Sequence, residues 1–167
     1  VDDLKSKLSE RSRVSIAAAS FSIYAFEALK EELENVDELR FIFTSPTFIK
    51  DKVKKEKREF FIPKLNRERN LYGTDFEIKL RNKLEQKAIA KECANWIRRK
   101  VKFKSNVSQE SMGGFIYVNG TAPYAYAPFN EFTTTELGCE RGNSLYSMVQ
   151  VVPSPFAEQY LNVFNEQ

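Results

Sequence analysis

Val14-Ser-Ile-Ala-Ala-Ala19 is apolar at nearly every position, as expected of a strand covered on both faces of a parallel sheet. Beyond it Ile23, Phe26, Leu29, Leu33 and Val36 recur at three-to-four spacing, with Lys30, Glu31, Glu32 and Glu34 between them. That period predicts an amphipathic helix, and Ser20 and Ser22 both offer a hydroxyl to cap its start. Leu39-Arg-Phe-Ile-Phe-Thr44 predicts a second strand, stopped by Ser45-Pro46 because proline cannot donate to a ladder. Strand, helix, strand over this span is a βαβ unit, for which a right-handed crossover is expected.

The same reading extends to the rest of the chain. Leu4 and Leu8, four apart among charges, predict a short helix within Val1 to Arg13. A long helix is expected from about Asp75 to Lys100 with two apolar stripes. Phe76, Leu80, Leu84 and Ala88 form one, and Ile89, Cys93, Trp96 and Ile97 the other. Two stripes suggest packing between the sheet and a second surface, either a neighbouring domain or a twin subunit. Arg98, Arg99 and Lys100 suit its C-terminus, where the macrodipole favours cations. Val101-Lys-Phe-Lys-Ser105 alternates apolar and basic, the pattern of a strand with one wet face. Phe115 to Val118 predicts another strand, closed by the turn pair Asn119-Gly120, with Tyr124 to Phe129 pairing back as a hairpin arm. Phe132 to Asn143 reads as a loop, Leu145 to Val152 as a last strand ended by Pro153 and Pro155, and Phe156 to Phe164 as a closing helix. The fold class is therefore α/β, with a mixed sheet whose first strands are parallel.

Length and composition narrow the possibilities. A chain of 167 residues suits one domain, 1–167, with a real core. A start at Val1 without methionine, and a stop at Gln167 within a helix-like segment, lead us to expect a piece of a longer protein. No apolar run approaches the length that spans a bilayer and no signal peptide opens the chain, so no membrane partner is expected. Cys93 and Cys139 make no disulfide framework, and reduced thiols in a cytoplasmic protein are the simplest expectation. The chain has no histidine. That excludes Ser-His-Asp and Cys-His nucleophile activation, His-ligated zinc and any imidazole base.

Charge changes the picture most. Residues Lys50 to Lys104 hold 19 of the 26 Lys+Arg and only 8 of the 23 Asp+Glu, so this stretch carries about +11 and the remainder about −8. Lys50, Lys52, Lys54, Lys55, Lys57, Arg58, Lys64, Arg67, Arg69, Arg98, Arg99, Lys102 and Lys104 are the candidate phosphate contacts. Phe60, Phe61 and Tyr72 are interleaved among them. Cations hold phosphates and aromatics offer stacking surfaces to unpaired bases, although a solvated surface or an acidic protein partner would use the same charges.

Two short motifs point elsewhere. Glu77-x-Lys79 matches the carboxylate and lysine of Mg²⁺-dependent nucleases, but a helical salt-bridge face produces the same pattern. Cys93 and Arg99 have the Cys-x5-Arg spacing of cysteine phosphatases without the glycines that would cradle a phosphate. No Gly-x-x-x-x-Gly-Lys-Ser/Thr loop is present, which argues against an ATP site. No cofactor and no metal are expected.

Met112-Gly-Gly-Phe-Ile-Tyr-Val-Asn119-Gly120 has the frame of His-x-Lys-x-x-x-x-Asp-Gly, with Met112, Gly114 and Asn119 at the three signature positions. Asn130-Glu-Phe-Thr133 follows, as an Asn-Phe-Thr segment follows that motif. In its order of elements the chain resembles the phospholipase D-like fold. From Glu77 to Lys104, and again from Phe132 to Asn143, it is similar to the versions found at the N-terminus of SNF2-type helicases. The resemblance implies a single-domain phospholipase D-like α/β/α sandwich. In active members the histidine attacks phosphorus and the lysine holds the phosphoryl oxygens. Met112 and Gly114 can do neither, so the resemblance implies a catalytically degenerate domain that keeps a cleft shaped for a phosphate backbone. DNA, or RNA, is the expected partner, together with the helicase motor domain of the same chain and a second copy in a homodimer. A Mg²⁺ nuclease using Glu77 and Lys79, and a protein-interaction scaffold, are the alternatives.

Overall fold

The computed structural model describes residues 1–44, 49–50, 60–61, 86–106, 112–141 and 148–167. Six strands form one mixed sheet, with helices on both of its faces. In chain order the elements are α1 (Asp2–Lys7), β1 (Arg13–Ala18), α2 (Ile23–Ala28), α3 (Lys30–Asn35), β2 (Glu38–Phe43), β3 (Ile49–Lys50), β4 (Phe60–Phe61), α4 (Gln86–Lys100), β5 (Val101–Ser105), β6 (Phe115–Asn119), β7 (Pro123–Ala127), β8 (Gln150–Pro153) and α5 (Ala157–Glu166). The large sheet runs β5-β2-β1-β6-β7-β8, and β3 pairs with β4 as a separate two-stranded ladder.

Strand β1 lies between two pairing modes. It is parallel to β2, with Ile16 opposite Phe41, and antiparallel to β6, with Ile16 also opposite Ile116. β5 extends the parallel half beyond β2, and β7 and β8 extend the antiparallel half. Because side chains alternate along a strand, each face is a fixed list of residues. Val14, Ile16, Ala18, Leu39, Phe41, Phe43, Ile116 and Val118 point to the first face. They pack there with Leu4, Leu8, Phe21, Phe26, Leu33, Cys93, Trp96 and Phe132. Ala17, Ile42, Phe115, Tyr117 and Ala125 point to the second face, where Ala157 and Phe164 of α5 meet them. Helices α1 to α4 therefore cover one side. Among the described residues only α5 covers the other.

The helix expected over Ile23 to Val36 is two pieces. Ser22 caps α2 by accepting from the N–H groups of Tyr24 (3.1 Å) and Ala25 (3.4 Å). At Leu29 the backbone leaves helical geometry (φ −117°, ψ 12°) and its N–H bonds back to the Phe26 carbonyl. Leu29 and Leu33 are both buried, so the break preserves the apolar stripe that the spacing predicted. Ser20 is not a cap. Its carbonyl accepts from Phe132 N–H (3.0 Å), which ties the loop after β7 to the end of β1.

Helix α4 packs its Cys93–Trp96 stripe on the first face, and the Trp96 indole N–H donates to the Leu33 carbonyl (3.1 Å). Ala88, the one described member of the predicted Phe76–Ala88 stripe, is exposed. Residues 75–85 of the expected long helix, and the start of the strand expected from Leu145, lie outside the described residues. Burial pushes the Cys93 thiol up to about 12, whereas Cys139 is exposed on the surface with its thiol raised, chiefly by partial burial. A thiol reagent at neutral pH is therefore expected to label Cys139 within minutes and Cys93 only in denaturant. Stoichiometric labelling of both in the native state would overturn the placement of α4.

Candidate nucleic-acid interface

The β1, β2 and β5 C-termini, the β6 N-terminus, the end of β7 and the start of β8 all reach one edge of the sheet. Open α/β folds place their ligands at this edge. Met112 and Gly114 enter β6 there. Asn119 ends the same strand, opposite Arg13, about 17 Å away at strand geometry. The three motif positions are thus not gathered at one point.

Each has a packing role in place of the chemistry its position would carry. Met112 is half-buried against the second-face cluster. A Cβ on Gly114 would lie 2.1 Å from the Phe129 carbonyl oxygen and 2.9 Å from the Asn130 Cα, both backbone atoms. The two strands can approach this closely only because position 114 has no side chain, and Phe129 N–H donates to the Gly114 carbonyl at 2.8 Å. The space a lysine would need is backbone.

The Asn130–Thr133 segment is stitched along the chain leaving β1. Ala19 N–H donates to the Asn130 carbonyl (2.7 Å), Ser22 N–H donates to that of Phe132 (2.9 Å), and the Phe132 ring stacks on Phe21 at 5.3 Å. Farther along, Thr134 and Thr135 hydroxyls both donate to Glu140 (2.7 and 3.1 Å), which closes the loop on itself. A groove of about 600 Å³ opens at this edge, between Gly114, Ala127 and Pro128 and the α5 residues Tyr160 and Val163. Among the described residues its polar lining consists of Asn130, Gln150, Gln159 and Tyr160, all neutral.

Cations lie on two other surfaces. Arg98 projects from α4 and donates to Asn95 (3.2 Å), and Arg99 donates to both carboxylate oxygens of Glu34 (3.0 and 3.2 Å). Lys100 reaches inward to the carbonyls of Glu34 and Val36, joining the end of α4 to the end of α3. These residues belong to the helical layer on the first face. Lys102 and Lys104 alternate with buried-side Val101 and Phe103, so they stand on the second face, as the alternation predicted. The four described candidates are thereby split between opposite sides of the sheet. Lys50, Lys52, Lys54, Lys55, Lys57, Arg58, Lys64, Arg67 and Arg69 have side chains outside the described residues, as do Glu77 and Lys79. Among the described residues no group of three or more His, Cys, Asp and Glu converges to hold a metal ion. Cys93 is buried while Arg99 faces Glu34, so the Cys-x5-Arg spacing assembles no site.

Arg40 is the residue that sequence reading missed. It points to the second face from the middle of β2, beside Lys102 in the register. One terminal nitrogen donates to Asn165 (2.9 Å) and the other to the Ser15 hydroxyl (2.8 Å), while the guanidinium lies 4.8 Å over the Phe164 ring. The signal was a lone cation alternating with Leu39 and Phe41 in a strand otherwise apolar. Lys102 bonds Glu38, which holds that carboxyl below its usual range. The stabilisation from that pair is full above the ordinary carboxylate pKa and is lost as pH falls through the depressed one.

No protein-family model, curated protein or solved structure matches this chain. Among the described residues no helix is long and apolar enough to cross a membrane.

Proposed function

We propose that this is a catalytically silent, phospholipase D-like α/β domain that holds the phosphate backbone of DNA, or RNA, as the N-terminal accessory module of an SNF2-type helicase. The observation that carries the reading is charge separation: about +11 within residues 50–104 against about −8 elsewhere. The six-stranded sheet with parallel β5-β2-β1 and antiparallel β6-β7-β8, helices on both sides, and a glycine-led strand at the motif frame supports the family resemblance. The crowding at Gly114 supports the absence of phosphoryl-transfer chemistry. Phosphate contacts position a duplex without reading it, so little base preference is expected.

Fluorescence anisotropy with a labelled oligonucleotide over a salt series tests the reading. If about five phosphates are neutralised, log affinity should fall against log salt with a slope near −4. Affinity independent of salt, or strong preference for one base sequence, would count against it. Plasmid incubated with Mg²⁺ should remain intact, whereas cleavage lost in Glu77→Ala would establish the nuclease instead.

A further inference from the structure

We infer that the notch where α5 crosses β2 and β5 is a seat for one phosphate group, with Arg40, Lys102, Lys104 and the Asn165 amide as its ligands. The inference rests on the nucleic-acid reading above and names the atoms through which the ordered fold takes part in it.

The notch has a volume of about 110 Å³, suited to a group the size of phosphate, and among the described residues its lining contains three cations and no carboxylate. It forms because α5 packs on β1, β6, β7 and Ile42 of β2 and its last turn brings Phe164 and Asn165 over Arg40, while Lys102 and Lys104 of β5 stay exposed beyond it. Register sets the spacing of the cations. Arg40 and Lys102 are direct partners on adjacent strands, about 5 Å apart, and Lys104 is two residues on, about 6.6 Å along the strand.

Arg40 is held before any ligand arrives, since Ser15, Asn165 and the Phe164 ring fix its plane. All three partners are neutral. A guanidinium carries five N–H donors and these contacts use two, so donors and a full charge remain available. Lys104 has no hydrogen-bond or ion-pair partner among the described residues. Lys102 is the one cation already paired, with Glu38, which stands beside the notch and not in its lining. The C-terminus of α5 presents the unfavourable end of its dipole, about half a charge, and three cations outweigh it.

Two ligands test the seat: inorganic phosphate, and a labelled single-stranded oligonucleotide that presents phosphate only as diesters. Phosphate titrated into ¹⁵N-labelled protein should shift the amide signals of Arg40, Lys102, Lys104 and Asn165 and leave those of α4 still. In anisotropy at about 0.1 M salt, Lys102→Gln with Lys104→Gln should weaken oligonucleotide binding at least tenfold and lower the salt slope by about 1. Lys5→Gln with Lys30→Gln, an equal loss of two charges in the helical layer on the opposite side, should change affinity less than twofold. Glu38→Gln should raise affinity severalfold, which a merely structural role for the pair would not do. If the oligonucleotide binds wild type tightly and the double variant equally well, the seat is wrong and the nucleic-acid reading stands. If phosphate shifts the notch while oligonucleotides do not bind, the seat stands and takes a small phosphorylated ligand. If neither ligand perturbs it, both fall.

Discussion

Gly114→Ala is expected to destabilise the protein by about 3 kcal/mol or more, and Gly114→Lys, which restores the lysine of the catalytic motif, by more still. A methyl group at this position would sit 2.1 Å from the Phe129 carbonyl oxygen. A flexible side chain could swing away from such a clash. Here the neighbour is backbone, held by its own hydrogen bond from Phe129 N–H to Gly114 O, so relief requires β6 and the turn after β7 to separate. Urea denaturation followed by circular dichroism measures the change directly. For the same reason a Met112→His, Gly114→Lys double variant should gain no phosphodiesterase activity. An alanine variant as stable as wild type would show that position 114 is not pressed against that backbone and would reopen the site as a vestige of catalysis.

Trp96→Ala should cost about 3–5 kcal/mol, a large share of the 5–15 kcal/mol that holds a typical domain together. Trp96 is fully buried, packs against Phe26 with ring centroids 4.9 Å apart, and gives its indole proton to the Leu33 carbonyl. Truncation leaves a cavity under α4 and a buried acceptor without its donor. Trp96→Phe keeps most of the volume and should lose roughly half as much, so the pair separates packing from hydrogen bonding. As the chain has one tryptophan, unfolding of the variants is followed by circular dichroism and not by indole fluorescence. A loss below about 1 kcal/mol for the alanine variant would be incompatible with α4 resting on the first face.

The parts of this fold that were legible in the sequence are those where period and burial agree. Val14–Ala18 reads as a strand covered on both faces because it is one: Val14, Ile16 and Ala18 are buried on the first face and Ala17 on the second. Lys102 and Lys104 alternate with Val101 and Phe103, and the sheet has one dry and one wet side there. Leu29 breaks the predicted helix without leaving the stripe, since periodicity reports which face a residue serves and not whether its backbone stays helical.

The candidate site was less legible, because sites are made by elements distant in sequence. Arg40 seemed one polar residue in an apolar strand. Its meaning depends on Asn165 and Phe164, which reach it only after α5 folds across the sheet. Likewise, Gly114 looked like a lost lysine. Only the proximity of Phe129 shows that the position has been closed by the main chain.

The outermost strand of the parallel half has a second use for its charges. Among the described residues β5 ends the sheet with a row of main-chain groups that another molecule could anneal to, and a strand apolar on both sides would invite that stacking. Lysines at alternate positions keep like strands apart by repulsion and by holding water. Replacing Lys102 and Lys104 with leucine is therefore expected to promote self-association through this edge, even were no anion ever bound.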